Sequence, residues 1–307
     1  MQLKKNVFMD DLFCFMLKEK YMKTKKLDGF MKGVFFVSAL TSVVAIILIC
    51  IFIFAGGVPF ILEYGIGDFL FGQKWAPSNT PATFGILPMI MGSLAVTVGA
   101  VIVGVPIGIL TSIFMAEFCP KWLHKILKPA VNLMAAIPSI VYGFFALQAI
   151  VPIMRQLVGG TGMNMLTAII LLGIMILPTI IGLSESSIRA VPRSYYTGSM
   201  ALGATHERSV MKVIVPAAKS GIISSVILGI GRAIGETMAV VLIAGNQPIM
   251  PESLILGVRT LTTNIVLEMA YASGTHREAL VATAVVLFVF ILIINGTFLI
   301  IKKKGAK

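Results

Sequence analysis

Residues 167–183 read TAIILLGIMILPTIIGL, an apolar run that carries no charge and only two threonines as polar side chains. Barrel strands in a membrane alternate apolar and polar residues over about ten positions, and this run does not alternate. Wound as a helix it extends about 25 Å and fits the hydrocarbon core of a bilayer. Comparable stretches lie at 34–58, 86–116, 131–153, 163–183, 221–244 and 279–301. The chain is therefore expected to be an all-α polytopic membrane protein with six transmembrane helices. The second stretch exceeds the core thickness and is expected to tilt or to run past the membrane.

Composition supports this reading. Of 307 residues, 57% are apolar and 12% charged, whereas soluble domains carry about 25% charged residues. A cleaved leader is excluded for the first apolar segment, because it follows about 30 residues with eight lysines and is too long for a leader core. Cys14, Cys50 and Cys119, like His124, His206 and His276, show no metal-site or catalytic-triad spacing. No catalytic residue, metal site or cofactor is expected.

The net charge of +12 follows the membrane topology and does not mark a nucleic-acid-binding surface. With the N-terminus inside, eight basic residues in 1–33, three in 117–130, five in 184–220 and four in 302–307 fall on the cytoplasmic side. Only Lys74, Arg155, Arg259 and Arg277 fall outside, and Arg232 lies within a span. The positive-inside bias places both termini in the cytoplasm. The expected organisation is a basic, interfacial N-terminal segment (1–33), a transmembrane domain (34–301) and a basic tail (302–307). In the first of these, Phe8, Phe13, Phe15, Met16 and Leu17 interleaved with lysines permit an interfacial amphipathic helix. Trp75 and Trp122 fit interfacial anchoring at the outer and inner surfaces.

The cytoplasmic segment 184–220, SESSIRAVPRSYYTGSMALGATHERSVMKVIVPAAKS, is too long for a plain connector. It reads as helix, turn, helix, with Gly203 at the change of direction and a second run from Thr205 towards Pro216. That run sets Thr205, His206, Glu207, Arg208 and Lys212 against Val210, Met211, Val213 and Ile214, so one side packs while another meets a soluble partner. The segment resembles the EAA loop of ABC-importer permeases: Glu-Ala-Ala, three residues, Gly, nine residues, Ile, one residue, Leu-Pro. Gly203 and Pro216 keep the spacing, Val213 and Val215 replace Ile and Leu, and Thr197, Gly198 and Ser199 stand in place of Glu-Ala-Ala. The resemblance implies that Ala204 to Met211 include the helix that docks on an ATPase. The chain has no G-x-x-x-x-G-K-[ST] loop of its own, which suits either an importer with a separate ATPase or a secondary transporter.

Within the fifth stretch, GIGRAIGETMAV (229–240) places Arg232 and Glu236 four residues apart in an apolar span. On a continuous helix they share one face. Charges at that depth cost several kcal/mol, so they normally face a bundle interior or an aqueous path and pair with one another. The two readings are a site on a translocation path and a self-neutralising pair that locks helix packing. Gly231 with Gly235, and Gly104 with Gly108, form G-x-x-x-G patterns that permit close helix approach. Pro106, Pro138 and Pro178 kink their spans or open backbone carbonyls to a cavity, and AAIPSIVYGF (135–144) is a second candidate for lining a path.

Together, FGILPMIMGSL (84–94), AAIPSIVYGF (135–144), the loop ending KVIVPAA and GRAIGET (231–237) resemble phosphate ABC-transporter permeases, most closely the PstC-type subunit. The resemblance extends over about residues 30–301 and implies the type I importer fold. It also implies ATP-driven import of inorganic phosphate across the cell membrane, with ATP hydrolysed by another subunit. The implied partners are a sister PstA-type permease, a PstB-type ATPase dimer and an extracytoplasmic phosphate-binding protein, all around a chain embedded in membrane lipid. It places Arg232, Glu236 and Thr237 on the translocation path, and Gly203, Ala204, Thr205, His206, Glu207, Arg208 and Pro216 on the ATPase-coupling surface. Molybdate, sulfate or phosphonate permeases and ion-coupled secondary transporters are the alternatives.

Overall fold

A computed structural model describes the backbone of residues 2–305 and the side chains of 30–297 and 300. The interfacial reading of the N-terminal segment rests on side chains before residue 30, and the basic tail on 302–307. Both lie outside the described residues.

The long helix α1 (Gln2–Tyr64) opens the chain. Its residues up to Ala55 form one compact unit, and Gly56–Lys307 form the second. The first unit is a single helix, predominantly apolar on all sides from Val34 onward, as a lipid-surrounded span requires. In the second unit, after the end of α1, come α2 (Ile66–Phe71) and a short antiparallel ribbon of β1 (Trp75–Ala76) and β2 (Thr83–Phe84), with Trp75 opposite Phe84. Next is α3 (Leu87–Ile113), which ends in a wide π turn at Phe114–Phe118. Then follow α4 (Lys121–Ala136), α5 (Ser139–Phe145), a second π turn at Ala146–Ile150 and α6 (Val151–Val158). The central helix is α7 (Met165–Arg189), and α8 (Arg193–Ala201) and α9 (His206–Ser209) follow it. A third π turn at Val210–Ile214 leads into α10 (Val215–Ala217), α11 (Lys219–Gly235) and α12 (Met238–Ile243). The chain closes with α13 (Leu261–Glu268) and α14 (Gly274–Gly305).

Among the described residues, five segments are long and apolar enough to cross a membrane as they stand: Phe30–Tyr64, Leu87–Phe118, Ser139–Val158, Met165–Arg189 and Gly274–Thr297. A sixth qualifies as a bent pair, His206–Ala217 with Lys219–Gly235, inclined by 67°. The bend follows Pro216, which lacks a backbone donor. Counting that pair as one span gives the expected six, with two corrections. The third begins at Ser139 and not at 131, because the backbone turns extended at Ile137 and Pro138. There Pro138 cannot continue α4 and disfavours helical geometry in the residue before it. The fifth is interrupted at Glu236, so α11 and α12 are separate helices.

The opening stretch, 167–183, lies in α7, and that helix is the most enclosed of the spans. Its Ala168, Leu171, Leu172, Met175, Ile176 and Ile180 form the core with Val96 and Ala100 of α3, Ala233 of α11 and Val240 and Ile243 of α12. Small residues set the α3–α7 distance. A Cβ at Gly104 would stand 2.7 Å from Ile176 Cδ1 and 2.8 Å from the Gly173 carbonyl, and one at Gly108 would stand 2.8 Å from Ile180 Cγ2. Backbones approach there as the first G-x-x-x-G pattern anticipates. The second pattern does not pack: nothing lies within 4 Å of a Cβ at Gly231 or Gly235. AAIPSIVYGF also takes a packing role. Tyr142 is buried and donates to the Met134 carbonyl left free by the helix break, and Gly143 lies against the Ala239 backbone of α12.

Candidate functional site

Arg232 stands near the C-terminal end of α11, about 20 Å along the axis from Lys219. Its guanidinium donates to Thr179 Oγ1 of α7 at 3.5 Å. Among the described residues no carboxylate lies within ion-pair distance of it. The expected i, i+4 pair with Glu236 is not formed, because the helix does not reach Glu236. At that residue φ is −70° and ψ is 131°, an extended conformation that carries the side chain off the face of Arg232. The Glu236 carboxylate instead accepts from the Thr237 and Ala239 backbone N–H groups, each at 3.1 Å. It thereby satisfies orphan donors at the start of α12. Thr262 donates to the Glu236 carbonyl at 3.1 Å, and Thr237 Oγ1 donates to that of Gly235 at 3.3 Å.

This division leaves the two charges in different surroundings. Arg232 lines an open cavity of about 470 Å³ with Thr179 of α7, Ser224 and Gly231 of α11 and Asn295 of α14, and aliphatic side chains of α11 complete its wall. Glu236 lines a separate recess of about 10 Å³ with Ser93, Thr97 and Thr260. Of the three expected path residues, only Arg232 reaches the large cavity. Ser224, Thr179 and Asn295 join it there. The available sequence signal was Thr179 and Asn295 as polar residues inside apolar spans, and Ser224 as one of an adjacent serine pair.

On the cytoplasmic segment, α8 and α9 form the expected helix, turn, helix. Gly203 occupies the turn at φ +83°, a left-handed region that glycine adopts at little cost and that residues with a Cβ disfavour. Thr205 caps α9 by accepting from the Arg208 N–H. His206 faces inward: Tyr196 Oη lies 3.0 Å from its Nδ1, and the Phe118 ring meets it edge-on at 4.9 Å. Ala204 is half-buried as well. Gly203, Thr205, Glu207, Arg208 and Pro216 are exposed. The most prominent exposed group is one the motif comparison passed over, Leu202, at 91% exposure. Its apolar side chain in a polar turn was the available signal. Arg193 of α8 pairs with Glu117 of the first π turn at 3.2 Å, and Ser199 bonds Ser209 at 2.9 Å.

Two further carboxylates anchor the bundle. Glu185, buried near the inner end of α7, accepts from Lys128 at 2.8 Å and from Arg189 at 3.0 Å, and lies 2.7 Å from His124 Nε2. Glu268, buried at the end of α13, pairs with Arg259, lies 2.8 Å from His276 Nε2 and accepts from the Trp75 indole at 2.9 Å. Trp75 is therefore a buried packing residue and not an interfacial anchor, whereas Trp122 is exposed. No cluster of metal-ligating side chains occurs among the described residues.

Residues 108–304 match the family described as the binding-protein-dependent transport system inner membrane component. The chain belongs to that family. A probable ABC transporter permease protein, YqgH of Bacillus subtilis, is 39% identical over 266 residues, covering 84% of this chain and 86% of the relative. The phosphate transport system permease protein PstC of Haemophilus influenzae is 31% identical over 290 residues, covering 88% and 91%. Among solved structures, the inward-facing MetNI methionine ABC transporter matches with a TM-score of 0.59 at 19% identity, over 72% of this chain and 96% of that one. A bacterial alginate ABC transporter, in complex with an alginate pentasaccharide-bound periplasmic protein, matches with a TM-score of 0.60 at 16% identity, over 84% and 92%. These likenesses establish the type I importer permease fold and leave the cargo open. The chain is a multi-pass cytoplasmic-membrane permease subunit of an ABC importer, whose ATP is hydrolysed by a separate subunit.

Proposed function

We propose that this permease is the PstC-type half of an importer for inorganic phosphate, paired with a PstA-type sister subunit, a PstB-type ATPase dimer and an extracytoplasmic phosphate-binding protein. The observation that carries the reading is Arg232, a guanidinium in a membrane span with no carboxylate partner among the described residues, facing a 470 Å³ cavity lined by hydroxyl and amide groups. A cation left unpaired at that depth is costly unless its counter-charge arrives as cargo. Its fork of donors suits a tetrahedral oxyanion. Sequence likeness to PstC proteins over most of the chain supports phosphate within that class. Glu236 serves the path indirectly, by holding the break that ends α11 beyond Arg232, and Thr237 completes that break.

The test is uptake of radiolabelled phosphate by proteoliposomes holding the chain with its sister permease, ATPase and binding protein. Uptake is expected to require both ATP and the binding protein, and an excess of sulfate or molybdate is expected to leave it unchanged. Phosphate accumulation by this chain alone without ATP would identify a secondary transporter, and preference for another oxyanion would overturn the choice of cargo.

Coupling to the ATPase is assigned to the exposed tip around Gly203, where Leu202, Thr205, Glu207 and Arg208 point outward from a turn braced by His206 and Ser209. Gly203→Val imposes about 1–2 kcal/mol of backbone strain on that turn. Both Gly203→Val and Leu202→Asp are expected to reduce uptake at least tenfold while membrane abundance and cargo-independent ATP hydrolysis persist. Tight coupling retained in both variants would remove the tip from this role.

A further inference from the structure

Apart from Arg232, the polar groups of the large cavity are neutral, and their order along the helices and their free valences point to a second station. Ser224 lies eight residues before Arg232 on α11, about 12 Å nearer the cytoplasmic end. α14 runs inward, and Asn295 is about 30 Å from its outer start at Gly274, which brings it to the same inner end of the cavity. Ser224 Oγ donates its proton to the Ser220 carbonyl at 2.7 Å. Towards the cavity it therefore presents lone pairs, an acceptor and not a donor. The Asn295 amide makes no hydrogen bond among the described residues and offers both an acceptor and two donors. Thr179 accepts from Arg232 and retains a hydroxyl proton for a ligand.

At this inner end an oxyanion without hydrogen, such as sulfate, finds donors in the Asn295 amide but leaves the acceptor of Ser224 unused. An oxyanion that carries a hydroxyl group uses both. We propose that Ser224 and Asn295 form a neutral hydrogen-bonding station for a hydroxyl-bearing oxyanion on the cytoplasmic side of Arg232. The anion passes to it from the guanidinium, and Ser224 Oγ accepts a hydrogen bond from the anion's hydroxyl. A neutral station suits release. A second cation would deepen the well, whereas dipoles replace part of the lost hydration without trapping the charge. The inference rests on the phosphate reading and deepens it by naming two positioning residues that the resemblance to phosphate permeases does not include.

The test uses the complete reconstituted transporter with Ser224→Ala, Ser224→Thr, Asn295→Leu and Asn295→Gln. In Ser224→Ala and Asn295→Leu, the maximal rate of phosphate uptake is expected to fall about tenfold. The half-saturating phosphate concentration, which the binding protein sets, should stay unchanged, as should abundance and binding-protein-stimulated ATP hydrolysis. Ser224→Thr and Asn295→Gln, which keep the polar groups, should restore most of the rate. Wild-type uptake in both apolar variants would overturn the station while leaving the phosphate reading intact. So would a loss of uptake that merely parallels loss of abundance or ATPase activity, which marks a packing role. If the unmodified transporter moves no phosphate, the cargo assignment fails first and the station fails with it.

Discussion

Arg232→Ala is expected to lower phosphate uptake about a hundredfold, the loss of one to two charge-assisted hydrogen bonds to the anion, with membrane abundance unchanged or raised. The second half of that statement discriminates. If Arg232 were part of a structural ion pair, its removal would leave a carboxylate unpaired and destabilise the fold. Among the described residues no carboxylate depends on it, and its one side-chain hydrogen bond there is the 3.5 Å bond to Thr179. Removing the guanidinium therefore takes away a charge held at membrane depth and breaks little. Arg232→Lys keeps the charge but loses the planar fork, so uptake is expected to fall about tenfold and not to vanish. Normal uptake in both variants at matched abundance would take Arg232 off the path. A drop in thermal stability for Arg232→Ala would favour the packing role instead.

The outcome at Arg232 also shows how far the sequence could be read. Hydropathy at 167–183 correctly located the central helix, and the spacing of Gly203 and Pro216 located the turn and the bend, because these signals are local and act within a few residues. The Arg232–Glu236 pairing was read from the same local logic and does not form. Nothing between Gly231 and Met238 forbids a helix by composition. The chain breaks there because Thr262 holds the Glu236 carbonyl and the Glu236 carboxylate is a better cap for α12 than a partner for Arg232. The sequence anticipated a kink at Pro138, but the lock by Tyr142 and the seating of Gly143 against α12 required the fold. The cavity was less legible still. Its polar groups come from three helices, and Thr179 and Asn295 are 116 positions apart. Trp75 and Glu268 meet across 193 residues, a distance no periodicity spans.

Glu185 gives the largest expected effect on stability. Its carboxylate, 2% exposed, meets His124 and Lys128 of α4 and Arg189 one turn further along α7. Arg189 also donates to the Met115 carbonyl in the π turn after α3, at 2.8 Å. One anion thus ties three segments together at the inner end of the bundle, next to the Glu117–Arg193 pair that holds α8. Glu185→Ala leaves Lys128 and Arg189 facing each other without a counter-charge. Breaking a fully buried pair costs about 3–5 kcal/mol, and partial exposure of the cations to solvent reduces this to about 2–3 kcal/mol. Glu185→Gln keeps an acceptor and is expected to lose about half as much. Thermal unfolding of the purified chain in detergent measures both. The decisive comparison is the double variant Glu185→Ala, Lys128→Met. If the carboxylate acts by neutralising its neighbours, removing one cation recovers at least about 1 kcal/mol of the single-variant loss. Strict additivity would mean that Glu185 acts independently of the Lys128 charge, and that pair would then be a bystander to the anchoring of α4 on α7.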